Sequence, residues 1–478
     1  MRVLIIAAAA LSFKAAAVDL PKLVQQGLRS AGVPPSAVGV VVQEAGGNRT
    51  ALALNANAVM NPASVMKLVT TYAALELLGP AYRWKTEAYL DGENLVLRGY
   101  GDPKLNYESF WMLLRNLRGR GLRELRGDVV LDRSFFDAGA QYAPFDSDIY
   151  RPYNVAPDAL LVNFKALRFV FVPESGGTVR IYAEPAMGLE ISNTLKPSSE
   201  AACPDGNRAF RELIRAEFQP RPPRASFSGI YPISCGEREL NVALHDPADY
   251  FAGIMRQLWT EVGGRWTGSV REGVASPDAR LLYVHESEPL TEIVRDINKF
   301  SNNVMARQLF LTLGAELGGS PGQAQKAAQV IKQWVADKKI RAPELELENG
   351  SGLSRIERIS PAHLAQLLQA AWGSAVMPEF VSSLPVVAAD GTMRKRLRGE
   401  RVAGQAHIKT GLLSDARSIA GYVLDRSGRR WVVVMLVNHP RAPEADAAID
   451  ALLEWVYDGA RGLAPSTAGP RGASPRGP

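Results

Sequence analysis

Histidine, cysteine and lysine are scarce in this 478-residue chain, with five His, two Cys and 14 Lys. No HExxH or CxxC occurs, so a metal site has no recognisable ligand set. No His stands in a cysteine-protease context either, and nothing calls for a cofactor. Beyond residue 13 no apolar run approaches the roughly 20 residues that cross a bilayer as a helix. A transmembrane anchor is therefore not expected, although peripheral membrane contact stays open. Like charges never run long enough to suggest a tail or a polyanion groove. The 55 Lys and Arg against 49 Asp and Glu leave a formal charge of only +6, too thin to name nucleic acid as a partner. No repeat of fixed period suggests a solenoid.

What is present reads as an ordinary folded protein, 46% hydrophobic and 22% charged. Its length suits two to four domains. The start has Arg2, an apolar run from Val3 to Phe13, then Lys14 and three small residues, which is the pattern of a secretory signal over 1–17. A periplasmic location follows as an expectation. In an oxidising compartment Cys203 and Cys235 read as one disulfide, which would stabilise the loop it closes by roughly 3 kcal/mol. The alternative is two unpaired buried cysteines.

A helix is expected over 20–31 and a strand over 37–42. Asn61-Pro62-Ala63 then introduces a helix from about Ser64 to Leu78, ended by Gly79-Pro80. From about Lys85 to Val284 the texture becomes short alternating strands broken by Pro and Gly, the mark of β-rich material. Helical texture returns over 289–313, 323–337 and 361–372. Strands are expected at 406–413, 418–424 and 431–437, the last two joined by a turn at Asp425 to Gly428. A helix over 443–457 follows, and 463–478 is a Pro, Gly, Ser and Arg tail with nothing to bury.

Three short motifs carry chemistry. Ser64-Val65-Met66-Lys67 sets a hydroxyl and an amine on one helix face, where a partly desolvated Lys held among cations can act as base to the Ser. Ser301-Asn302-Asn303 offers a second hydroxyl for proton transfer and an amide able to hold a substrate amide. Lys409-Thr410-Gly411 lies in an expected strand, whose edge offers backbone groups to an extended peptide. There Lys409 and Thr410 can bind a carboxylate while Gly411 leaves room for the substrate. Chance alone would supply on the order of 0.05 such triplets in this length. Singly, Lys67 reads equally as a solvated helix residue, 301–303 as a helix cap, and 409–410 as an exposed strand edge. Their order and placement together argue for a site. His407, beside the third motif, reads as a strand-face residue.

In this order the motifs are the SxxK, SxN and KTG set, and the chain resembles penicillin-binding proteins and serine β-lactamases. More narrowly, it resembles the D-alanyl-D-alanine carboxypeptidase/endopeptidases of the S13 peptidase family, the penicillin-binding protein 4 type. The 237 positions between Ser64 and Ser301 leave room for the large insertion such proteins carry. Gly99 to Pro103, Asn349 to Arg355, and Leu384-Pro385 leading to Asp390-Gly391-Thr392 add to the likeness. The resemblance implies an α+β fold: a transpeptidase-like domain, its antiparallel sheet flanked by helices, with a large β-rich insertion. The expected division is 18–86 with 286–462 catalytic, and 87–285 inserted as two subdomains, about 87–165 with 265–285, and 166–264.

The resemblance also implies roles. Ser64 forms the acyl-enzyme, Lys67 activates it and Ser301 takes part in proton transfer. Asn303 holds the peptide, and Lys409 with Thr410 lies near the terminal carboxylate. Backbone N–H groups of Ser64 and Leu412 make the oxyanion hole, although Leu412 stands where relatives often have Ser or Thr. Asn349 stands where Asp is usual, in a motif read mainly as a structural turn. Arg355 is a lesser candidate for contact with a substrate side-chain carboxylate, and Asp148 for its amine. Peptidoglycan stem peptides are the expected substrates and β-lactams the expected covalent inhibitors. The oligomeric state is left open. A β-lactamase and a non-catalytic wall-binding or penicillin-sensing protein are the competing readings.

Overall fold

A computed structural model of the chain describes residues 20–137, 143–204 and 206–460. The expected export segment and the 463–478 tail lie outside the described residues. The fold is α+β. Its central antiparallel sheet runs in the order Ala406–Leu412, Ala416–Leu424, Arg430–Asn438, Val38–Glu44, Thr50–Leu54, so the strand carrying Lys409 is an edge. Trp431, Val433, Met435 and Val437 face one layer, formed by the helices Lys22–Ala31 and Asp446–Tyr457. Val432, Val434 and Leu436 face the other, which holds Lys67–Leu77, Leu290–Phe300, Asn303–Gly318 and Pro361–Trp372. Side chains alternate along a strand, so a sheet covered on both faces needs an unbroken apolar run, and Trp431 to Val437 is one.

Two helices depart from the sequence expectation. The segment opening at Ser64 begins as a 3-10 turn, Ala63–Met66, before the α-helix from Lys67. The expected 289–313 helix is two helices broken at Ser301, which sits at φ 54° as the C-cap of the first. Asn302 then caps the second by accepting the Met305 N–H at 3.1 Å. Apolar periodicity runs straight through the break, and so hid it.

The segment 85–286 contains a second five-stranded sheet, ordered Val270–Glu272, Val129–Asp132, Asn94–Gly99, Lys85–Asp91, Arg280–Glu286, and two three-stranded sheets. Its core is separate and rich in aromatics, with Phe110, Phe169, Phe171, Phe227 and Trp259 buried together. Strands are not its only content. Helices Tyr107–Gly119, Asn207–Ile214 and Pro247–Glu261, which the β-rich expectation did not locate, lie among the strands. Phe110, Leu113, Leu114 and Leu117 bury at helical spacing, and Asn106 caps by accepting the Ser109 N–H at 2.9 Å. Cys203 and Cys235 are joined by a disulfide. Among the described residues no helix is long and apolar enough to cross a membrane.

Candidate active site

Ser64 sits in the first turn of its 3-10 segment, directly after Ala63 at φ 48°. A left-handed non-glycine backbone costs free energy and persists only where its surroundings hold it. Here Asn61 Oδ1 accepts the Ala63 N–H at 2.8 Å, and Ser418 Oγ donates to the Pro62 carbonyl at 2.6 Å. Asn438 holds Asn61 on both sides, accepting its N–H at 2.7 Å and donating to its carbonyl at 2.9 Å. The turn is thus tied to the central sheet at both 418 and 438.

One 3-10 turn is three residues, so Lys67 lies above Ser64 and its Nζ is 3.1 Å from Ser64 Oγ. The same Nζ reaches Asn303 Oδ1 at 2.5 Å and the Ser351 carbonyl. Lys67 is fully buried. Burial first, then the nearby Lys409 and Arg307, hold its amine well below the usual lysine range, while Glu357 works the other way. Lys409, also fully buried, donates to Ser301 Oγ at 2.8 Å and to the Thr410 carbonyl at 2.7 Å. Burial pushes its pKa down to about 7. The helix break at 301 is what turns Ser301 toward this amine. Ser64, Lys67, Ser301, Asn303 and Lys409, drawn from three distant parts of the chain, therefore form one connected set: a hydroxyl with a buried amine against it, and a second such pair beside it.

Residues 22–457 match the family described as D-Ala-D-Ala carboxypeptidase 3 (S13). The chain belongs to the S13 peptidase family. As a member it is a serine-type D-alanyl-D-alanine carboxypeptidase by class. A D-alanyl-D-alanine carboxypeptidase of Actinomadura sp. (strain R39) is 26% identical over 436 residues, 86% of this chain and 79% of that protein. Penicillin-binding protein 4 of Haemophilus influenzae shares the fold at TM-score 0.72 and 21% identity, covering 91% of this chain and 99% of that one. The same Haemophilus protein complexed with a β-lactam superposes at TM-score 0.69, with 21% identity and the same coverage.

In this S13 peptidase the Lys409 strand presents its open edge. Leu413 N–H bonds to the Ala416 carbonyl on the neighbouring strand, so by alternation the N–H of Leu412 points outward, as does that of Ile408, which reaches the Pro385 carbonyl. The Leu412 side chain is 55% exposed. Gly411 has a packing task. A Cβ there would lie 2.3 Å from Ser418 Oγ and 2.8 Å from the Pro62 carbonyl, so the glycine lets the strand pack onto the Ser64 turn. Thr410 Oγ1 donates to Thr392 Oγ1 at 2.9 Å. Thr392 escaped the site reading although its stretch had been singled out. Asn438 carried no signal, being one polar residue at a strand end.

Arg355 lies at the rim, its guanidinium 3.2 Å from Asp415 and from Ser414 Oγ and 4.6 Å over the Phe145 ring. Phe145 comes from the inserted segment and packs on Ala63 and Leu413. The Asp148 carboxylate, the candidate partner for a substrate amine, is paired with Arg211 at 2.9 Å and Arg151 at 3.1 Å. His407 bonds through Nδ1 to the Val381 carbonyl, as a strand-face residue does. A cleft of about 1050 Å³ opens beside Ser301 to Val304 and runs into the inserted segment, past Tyr107, Tyr153, Arg168 and Tyr182.

Proposed function

We propose that this protein is an exported, periplasmic DD-peptidase that hydrolyses the D-Ala-D-Ala termini of peptidoglycan stem peptides, and D-Ala to diaminopimelate cross-links, through a Ser64 acyl-enzyme. The observation that carries the reading is the pair of buried amines, each set against one serine: Lys67 on Ser64 and Lys409 on Ser301. Lys67, kept neutral, takes the Ser64 proton as Oγ attacks the carbonyl of the penultimate D-Ala. The oxyanion forms against the N–H of Leu412 and that of Ser64, which lies in a first turn where N–H groups lack intrahelical acceptors. The C–N bond breaks, the proton passes by way of Lys67 and Ser301 to the leaving amine, and water then attacks the ester.

Asn303 Oδ1 faces Lys67, so its Nδ2 donors are left for a substrate carbonyl. The ammonium of Lys409 and the Thr410 and Thr392 hydroxyls suit the terminal carboxylate. Leu412 contributes its backbone donor and no hydroxyl. Arg355 stays in the proposal as a rim contact. The division we propose puts 18–86 with 286–462 in the catalytic part and 87–285 in the insertion, and the separate aromatic core supports it. The cleft beside Ser301 gives a polymeric substrate room to leave the site.

The test is intact mass after brief incubation with benzylpenicillin, beside Ser64→Ala. A long-lived adduct absent from the variant is expected. An adduct lost within seconds with hydrolysed antibiotic would instead mean a β-lactamase, and no adduct a binding protein.

A further inference from the structure

The loop 348–352 lies against the Ser64 turn and offers its Ser351 carbonyl to Lys67 Nζ. A carboxylate from further along the chain organises that loop. Glu357 is fully enclosed. Its Oε1 accepts the N–H groups of Glu348 at 3.2 Å, Asn349 at 3.0 Å and Gly350 at 2.8 Å, and its Oε2 accepts that of Gly352 at 2.8 Å. Ser354 Oγ accepts the Glu357 N–H at 3.0 Å and so anchors the acid's own backbone. Four donors converging on two oxygens call for an acceptor without protons of its own. An amide would set an NH2 against one of them. The loop is held closely: a Cβ at Gly352 would lie 1.8 Å from the Ala63 carbonyl.

Asn349, by contrast, does work that needs no charge. Its Oδ1 accepts the Ser351 N–H at 3.0 Å and Oγ–H at 2.5 Å, and its Nδ2 donates to the Leu353 carbonyl at 3.0 Å. The anion of this loop therefore sits at 357. Lys67 faces Lys409 from the edge strand, Arg307 from the 303–318 helix and Glu357 from beneath the loop, two cations against one anion. Burial raises the Glu357 carboxyl while its N–H bonds oppose that shift.

We propose that Glu357 is the positioning residue of the acylation step: it fixes loop 348–352 so that the Ser351 carbonyl holds Lys67 Nζ over Ser64, and it is the anion set against Lys409 and Arg307. The inference rests on Lys67 acting as the base.

The experiment follows the second-order rate of Ser64 acylation by a fluorescent penicillin against pH, using the full chain. Glu357→Gln is expected to slow acylation at least tenfold and to move the acid limb of the profile about one unit toward lower pH, because Lys67 then faces cations alone. Glu357→Asp keeps the charge and loses reach, so its rate falls with the limb in place. A Gln variant whose rate falls with an unmoved limb overturns the inference, as does an Asp variant with the wild-type rate. The Asp variant decides the matter if Glu357→Gln does not fold. A wild type that forms no Ser64 adduct sinks the proposed function. A wild type that acylates regardless of residue 357 sinks only this inference.

Discussion

Lys67 and Lys409 are wholly enclosed, and the atoms touching their Nζ groups are hydroxyl, amide and carbonyl oxygens. An ammonium taken from water into such surroundings favours its neutral form. The two amines are then suited to different work: Lys67 as a proton acceptor, Lys409 as a cation that survives only below its lowered pKa of about 7. The KM for a peptide with a free C-terminal carboxylate is accordingly expected to rise about tenfold as pH climbs through 7, since the ammonium contact is lost above it. Lys409→Arg, always charged, should keep KM flat over the same range. Steady-state kinetics on both proteins between about pH 6 and 9 decides it, and a parallel rise in the Arg variant removes Lys409 as the cause. The motif lysines were legible as residues. Their burial was not, because it depends on what the chain folds over them.

At the scale of the element, the site depends on two irregularities: the strained turn before Ser64 and the break at Ser301. SxxK on a helix face was readable from spacing. That the first turn is 3-10 was not, since the Ala63 φ is imposed by Asn61, Ser418 and Asn438, two of them more than 350 positions away. Asn438→Ala removes both bonds to the Asn61 backbone and is expected to cost about 1–3 kcal/mol. Penicillin acylation should fall further than that loss of folded protein explains, because the turn that aims Ser64 is released. Urea unfolding together with acylation kinetics tests this, and wild-type acylation in a destabilised variant would count against the clamp. The helix break escaped detection because the apolar faces of 290–300 and 303–318 look continuous, and Ser301 is neither Gly nor Pro.

Across the whole molecule, the segment 87–285, which we propose as an insertion, is fastened to the rest by buried polar contacts as well as packing. Gln308, wholly buried, accepts the Asp158 N–H and donates to the Asp158 carbonyl, both at 2.8 Å. Arg307 donates to the Tyr153 carbonyl at 3.1 Å. Gln308→Leu leaves two backbone groups unsatisfied and is expected to lower stability by about 2 kcal/mol. The larger effect should fall on cross-linked, polymeric substrate, for which we propose a path along the cleft beside Ser301, with a small D-Ala-D-Ala peptide nearly unaffected. Equal losses on both substrates would show that the contact acts on stability alone.

Sequence by itself determined the chemistry available: which hydroxyls, amines and amides exist, in what order, and on helix or strand. It also marked the central sheet, because a strand covered on both faces must read as Trp431 to Val437 does. The inserted helices were there to be found in their 3.6-residue period but were masked by the Pro and Gly around them. Only the tertiary structure decided that Gly411 packs on the Ser64 turn, that Glu357 gathers the N–H groups of loop 348–352, that Asp148 is paired with Arg211 and Arg151, and that both lysines are buried. The Gly411 packing, the Arg211 pair and the burial of the lysines depend on contacts between residues distant in the chain, and the Glu357 bonds, though they span only five to nine positions, follow no helix or strand period to read.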